Sequence, residues 1–176
     1  YDSPVNFPFS ASEALGRNYA VLLTGDDLHP ESDALGSMKP SLVITLCARE
    51  AHRALHVSDR VLGFKTQAMQ DASSRAGQHY DCPVKELLLE GDSPVALDSL
   101  MRAHGLTSLV YYEPFVGPWK DHISTLSTRD VGITFFPLRR PWDGLLHPHA
   151  TKGYLHFKKY AQPQVLRTKG NFQSKR

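Results

Sequence analysis

Four side chains able to bind a cation or move a proton fall within six residues of the stretch TGDDLHPES: Asp26, Asp27, His29 and Glu31. Clustered carboxylates are the ligand type that hard divalent cations take. The stretch contains only Gly25, without the further glycines that a phosphate cradle needs, and its negative charge repels phosphate. The same residues also suit a local role, with Asp and Ser capping a short helix over 32–37, and that reading is preferred to a metal site. EGDSP over 90–94 reads in the same way, as a strand-to-helix turn with its cap.

Glu113-Pro114 is a second candidate. A carboxylate at a strand's end, fixed by proline and flanked by Tyr112, Phe115 and Trp119, suits a pocket for a flat heterocycle with one acidic anchor. The same aromatics are equally at home in a core. The third stretch is WDGLLHPHATKGYLHFKK over 142–159, where His147, His149 and His156 stand beside Lys152, Lys158 and Lys159. Their spacing lacks the thiolate partners of a zinc site, so no metal is expected there. Neither a G-x-S-x-G elbow nor C-x-x-C nor H-E-x-x-H occurs, and no catalytic residue is assigned.

These candidates must be held by something. YAVLLT (19–24), SLVITLCA (41–48), VKELLLE (84–90), SLVYYE (108–113) and GITFFP (132–137) are short apolar runs that predict five strands, mostly buried on both faces. Helices are predicted between them. One runs over 58–76, with Ser58 as cap, Val61, Phe64, Ala68 and Ala72 on one face, and Gly77 as terminator. Another begins at Asp92 or Ser93, aligns Leu97, Leu100, Met101 and His104, and stops at Gly105. A third, over about 117–129, presents Trp119, Ile123 and Leu126. Strands alternating with helices specify parallel pairing, here a doubly wound, Rossmann-like five-stranded sheet with helices on both faces. It covers 19–140, between an irregular N-terminal extension (1–18) and a linker-like basic extension (141–176).

Twenty Lys and Arg against 18 Asp and Glu leave a formal charge of +2, which advertises neither nucleic acid nor membrane binding. No Asp or Glu follows Asp143, so cations gather at the end of the chain. Cys47 and Cys82 are expected as reduced, structural thiols in a chain long enough to do without a staple. The apolar runs are far shorter than the ~20 residues of a spanning helix, so a soluble protein is expected. The sequence begins at Tyr1 rather than Met, leaving any targeting segment unread.

VLLTGDDLHPESDALGS, LLLEGDSPVALDSLMRAHGLTSLVYYEPFVGPWKDHI and ATKGYLHFKK, taken in order, resemble the amino-terminal α/β domain of DNA photolyases and cryptochromes over about residues 19–160. Asp27-Leu28-His29 stands in the place of the family's Asp-Leu-Arg motif, Tyr112-Glu113-Pro114 in that of its Tyr-Glu-Pro segment, and Lys120-Asp121 near its Arg-Asp. The departures matter too. The family's paired arginines are Gly25 and Asp26 here, and its motif arginine is His29. The resemblance implies a domain that can hold a folate or deazaflavin antenna, with Glu113 and Asp27 as the carried-over contacts. The family's helical FAD domain does not follow in this sequence, and flavin chemistry belongs to that domain.

The expected role is therefore a non-catalytic accessory or structural subunit of a larger protein assembly, in the cytoplasm or an organelle such as a plastid, with peripheral attachment to a membrane complex compatible with it. In that reading Trp142, Tyr154, Phe157, Lys158 and Lys159 contact a protein partner. The alternative is an antenna-binding or light-sensing flavoprotein fragment. Nucleic-acid binding through the basic tail ranks below both.

Overall fold

A computed structural model describes residues 18–32, 34–47, 56–88, 93–127 and 132–173. The N-terminal extension to residue 17, the loop after the second strand, the Glu90–Asp92 part of the EGDSP turn, and Arg129 lie outside the described residues. Those described form two units, 18–138 and 139–173, taken in turn below.

The first unit carries five strands: β1 (Tyr19–Leu23), β2 (Leu42–Cys47), β3 (Val84–Leu88), β4 (Ser108–Tyr112) and β5 (Thr134–Leu138). All pair in parallel, in the order β3-β2-β1-β4-β5. This is the doubly wound α/β sheet that the alternating pattern predicts. The order reverses between β1 and β4, the position where such sheets open a crevice at their carboxyl ends. The central strands β1, β2 and β4 are buried on both faces, and the outer two are only partly so. Lys85 and Glu86 of β3 are exposed, because an edge strand has a neighbour on one side only.

Three helices flank the sheet: α1 (Asp59–Tyr80), α2 (Ser93–Ala103) and α3 (Pro118–Ser127). On one face Leu97 and Met101 of α2 and Trp119, Ile123 and Leu126 of α3 pack on Ala20, Leu22, Ile44 and Leu109. On the other, Ala76 and Tyr80 of α1, with Leu35 and Met38 around the 3-10 turn Ala34–Ser37, pack on Tyr19, Val21, Val43 and Tyr112. The i, i+3, i+4 spacing of these apolar residues selects the buried stripes. Leu97 and Met101 are in the core as the pattern predicts, and Gly105 stops α2 at φ +66°, a conformation that costs glycine nothing.

Helix α1 departs from expectation at both ends. It runs a turn past Gly77 and stops at Asp81, itself left-handed at φ 50°, with the Cys82 N–H bonded to the Gly77 carbonyl. Gly77 serves close approach instead: a Cβ there would stand 2.8 Å from Cγ2 of Val84. At the other end the face bearing Val61, Phe64 and Ala68 is not in the core, whose α1 residues are Ala72, Ala76 and Tyr80. A 22-residue helix is about 33 Å long. A five-residue strand covers about 17 Å. The first half of α1 therefore outreaches the sheet at its carboxyl end and leaves Phe64 71% exposed.

The second unit is helical rather than linker-like. It comprises α4 (Pro141–Leu146), a 3-10 turn (His147–His149) and α5 (Tyr154–Gln173). Gly153 at φ +84° sets the entry to α5, and its carbonyl accepts the Phe157 N–H. Nine residues free of Gly and Pro then propagate the helix before Pro163, which removes one backbone donor without ending it. The expectation of an irregular segment is overturned here, because helix continuity depends on propensity and packing as well as on apolar content.

Candidate functional site

The carboxyl edge beside the β1/β4 reversal gathers the first two candidate stretches. After β1 the chain turns tightly: the Asp27 N–H bonds the Thr24 carbonyl at 3.1 Å, and the Asp27 carboxylate accepts the His29 N–H at 3.3 Å. Arg75 of α1 then holds the loop, with its guanidinium on the Glu31 carboxylate, 2.8 Å from the Leu28 carbonyl and 3.0 Å from Asp71. The His79 ring lies 2.8 Å from the Gly36 carbonyl and ties down the next segment. Glu31 and Asp27 are thus engaged in shaping their own loop. Asp26 is different: its carboxyl is pushed above the usual range, first by burial and then by Asp27, with Lys65 of α1 opposing.

Glu113 follows β4, the strand that pairs with β1, so it and Asp27 leave adjacent strands at the same edge. The Glu113 N–H bonds the Leu138 carbonyl at 2.9 Å, and its charge adds to the burial that raises the Tyr111 hydroxyl. The aromatics around Glu113 do not form one wall. Tyr112 packs in the α1-side core, where its hydroxyl accepts the Leu35 N–H at 3.3 Å. Trp119 packs in the opposite core, only 6% exposed, its indole so close that a Cβ on Gly25 would lie 2.9 Å from Cζ2. The reason is strand alternation: consecutive side chains point to opposite faces, and Tyr111 takes the face that Tyr112 leaves.

Sequence reasoning missed several features of this edge. Thr24 is 2% exposed, and its hydroxyl has no hydrogen-bond partner among the described residues. The Nε2 of His122 is also buried without one, on a ring 6.0 Å from that of Trp119. The HPES part of the loop offered no sign that a residue 44 positions away would grip Glu31. Among the described residues, no three His, Cys, Asp or Glu side chains stand together as a metal site. Cys47 and Cys82 are not joined in a disulfide, and burial above all pushes the Cys82 thiol up.

In the second unit the histidines are ring-packing residues. His149 stacks on Tyr160 at 4.6 Å with 4° between the planes, and His156 leans on the same ring at 5.2 Å. The five residues predicted to meet a partner are all placed here. Trp142 and Tyr154 are exposed, Lys158 and Lys159 project into solvent, and Phe157 is half-buried. Leu155, which the sequence did not single out, is 77% exposed beside them.

No protein-family model matches the chain, and no curated protein does. No helix among the described residues is long and apolar enough to cross a membrane.

Proposed function

We propose that the chain is a photolyase/cryptochrome-like α/β domain that acts without catalysis, as an accessory or structural subunit of a larger protein assembly in the cytoplasm or an organelle, docking through its C-terminal unit. The observation that carries this reading is the exposure of Trp142, Leu145, Tyr154 and Leu155 in that unit, next to Lys158 and Lys159. Large apolar side chains grouped in water are a common sign of an interface. Engagement of Asp27 and Glu31 in loop structure also favours a scaffold over a reactive centre. Size fractionation of native extract tests it: the protein elutes far above the 19.7 kDa of one chain, and elution at that mass alone overturns the proposal.

A second reading is supported by the placement of Asp27 and Glu113 on adjacent strands at the order reversal. There the domain holds a folate or deazaflavin antenna pigment. Absorption of the native protein beyond the range of its own aromatics supports this, and a bare protein spectrum removes it.

A further inference from the structure

The charge of this chain is strongly polarised. Residues 1–143 hold 13 Lys and Arg against 18 Asp and Glu, a formal −5, while 144–176 hold seven cations and no acid, +7, which together give the +2 of the whole. In α5 the cations share a face with exposed apolar groups. Lys158 and Lys159 follow Tyr154 and Leu155 by one turn each, and all four project into solvent.

A surface of matching character exists elsewhere on the molecule. Among the described residues 18–138, every strongly exposed large apolar side chain belongs to the carboxyl end of the sheet: Val61 and Phe64 on the overhang of α1, Leu88 at the end of β3, Val95 at the start of α2, and Val116 after β4. Val116 is 76% exposed. The same end of the sheet carries Asp26 after β1, Glu113 after β4 and Asp121 in the first turn of α3, against Lys65 and Lys120. The Gly25 to Trp119 contact keeps the Asp26 loop and the start of α3 together.

We infer that the basic face of α5 in one copy docks on the acidic, apolar-studded carboxyl edge of a second copy, head to tail. This deepens the proposed function by naming the first partner, and it rests on the C-terminal unit being a docking element. The two patches differ, so the contact is heterologous and leaves a free α5 and a free edge on each pair. Few apolar groups take part, so the contact is weak, salt-sensitive and steered by charge.

The test is sedimentation velocity on the purified full chain over a wide concentration range in low salt. The expected result is a weight-average mass that climbs above 19.7 kDa with concentration and falls back in high salt. K158E/K159E and D26K/D121K should each weaken association at least tenfold, and mixing the two variants should restore it. D121K alone, an exposed helix position, stands in should the double edge variant fold poorly. A chain that stays monomeric overturns the inference, as does association that survives K158E/K159E or that mixing does not restore. A monomeric purified chain that still runs in a large complex in extract overturns this inference alone. Elution of the extract protein at single-chain mass overturns the docking reading itself.

Discussion

Replacing Gly25 with alanine tests whether the β1 exit and α3 are in the contact described. The new Cβ would meet Cζ2, Nε1 and Cε2 of Trp119 at 2.9, 3.0 and 3.1 Å. Unstrained carbon contacts sit at about 3.5–4.0 Å, so the indole must retreat by roughly half an ångström or more. It has little room, being 6% exposed in a core shared with Ile123 and Leu126. Overpacking of this kind costs about 1–3 kcal/mol. For a chain of this size that lowers Tm by roughly 2–4 °C per kcal/mol. Urea unfolding followed by far-UV circular dichroism gives the free energy, and Trp fluorescence reports the altered indole environment. The double-mutant cycle with W119F isolates the contact: G25A should cost at least ~0.5 kcal/mol less once the indole is gone. A G25A protein as stable as the parent, or a cycle without coupling, refutes the packing argument.

Arg75→Ala should cost about 1–2 kcal/mol, at the modest end because the guanidinium is partly solvated. Hydrogen exchange should show the amides over 28–36 losing protection while β2 and β4 keep theirs. Phe64→Ser should change stability by less than ~0.5 kcal/mol in thermal melts, since the ring is 71% exposed. A larger loss would place Phe64 in a core. Burial, above all, and the nearby Glu31 push the Tyr80 phenol above its ordinary value. The unfolded chain therefore ionises first, so Tyr80 contributes fully below about pH 10 and that contribution is lost as pH rises further. Tyr80→Phe should flatten this alkaline fall in a pH series of melts. At neutral pH it should cost little, because the hydroxyl has no hydrogen-bond partner among the described residues.

The apolar runs foretold all five strands because a parallel sheet buries its central strands on both faces, leaving unbroken hydrophobic stretches. Gly105 was legible as a helix stop because the apolar period ends just before it. Gly77 looked identical on the page, yet its role depends on Val84, a neighbour brought near only by the fold. The Val61 and Phe64 face has a helical period, but period says nothing about where the sheet beneath it ends. Helix α5 was hidden by polar composition and Pro163. At the candidate site, the residue types of Asp27, Glu31 and Glu113 were legible, and their pairing was not. Arg75 reaches the loop from a helix, and the split of Tyr112 from Trp119 follows from the direction of each side chain.

Helix α1 couples two regimes of local stability in one continuous hydrogen-bonded rod. Its last turns are anchored by Ala72, Ala76 and Tyr80, whereas Val61, Phe64 and Lys65 in its leading turns are exposed. Such a helix frays from one end without cost to the sheet, so opening of its leading turns is a separate event from unfolding of the domain. Whatever settles on Val61 and Phe64 therefore does more than cover them. It would lengthen the cooperative unit, so a partner on that face would add rigidity at the rim.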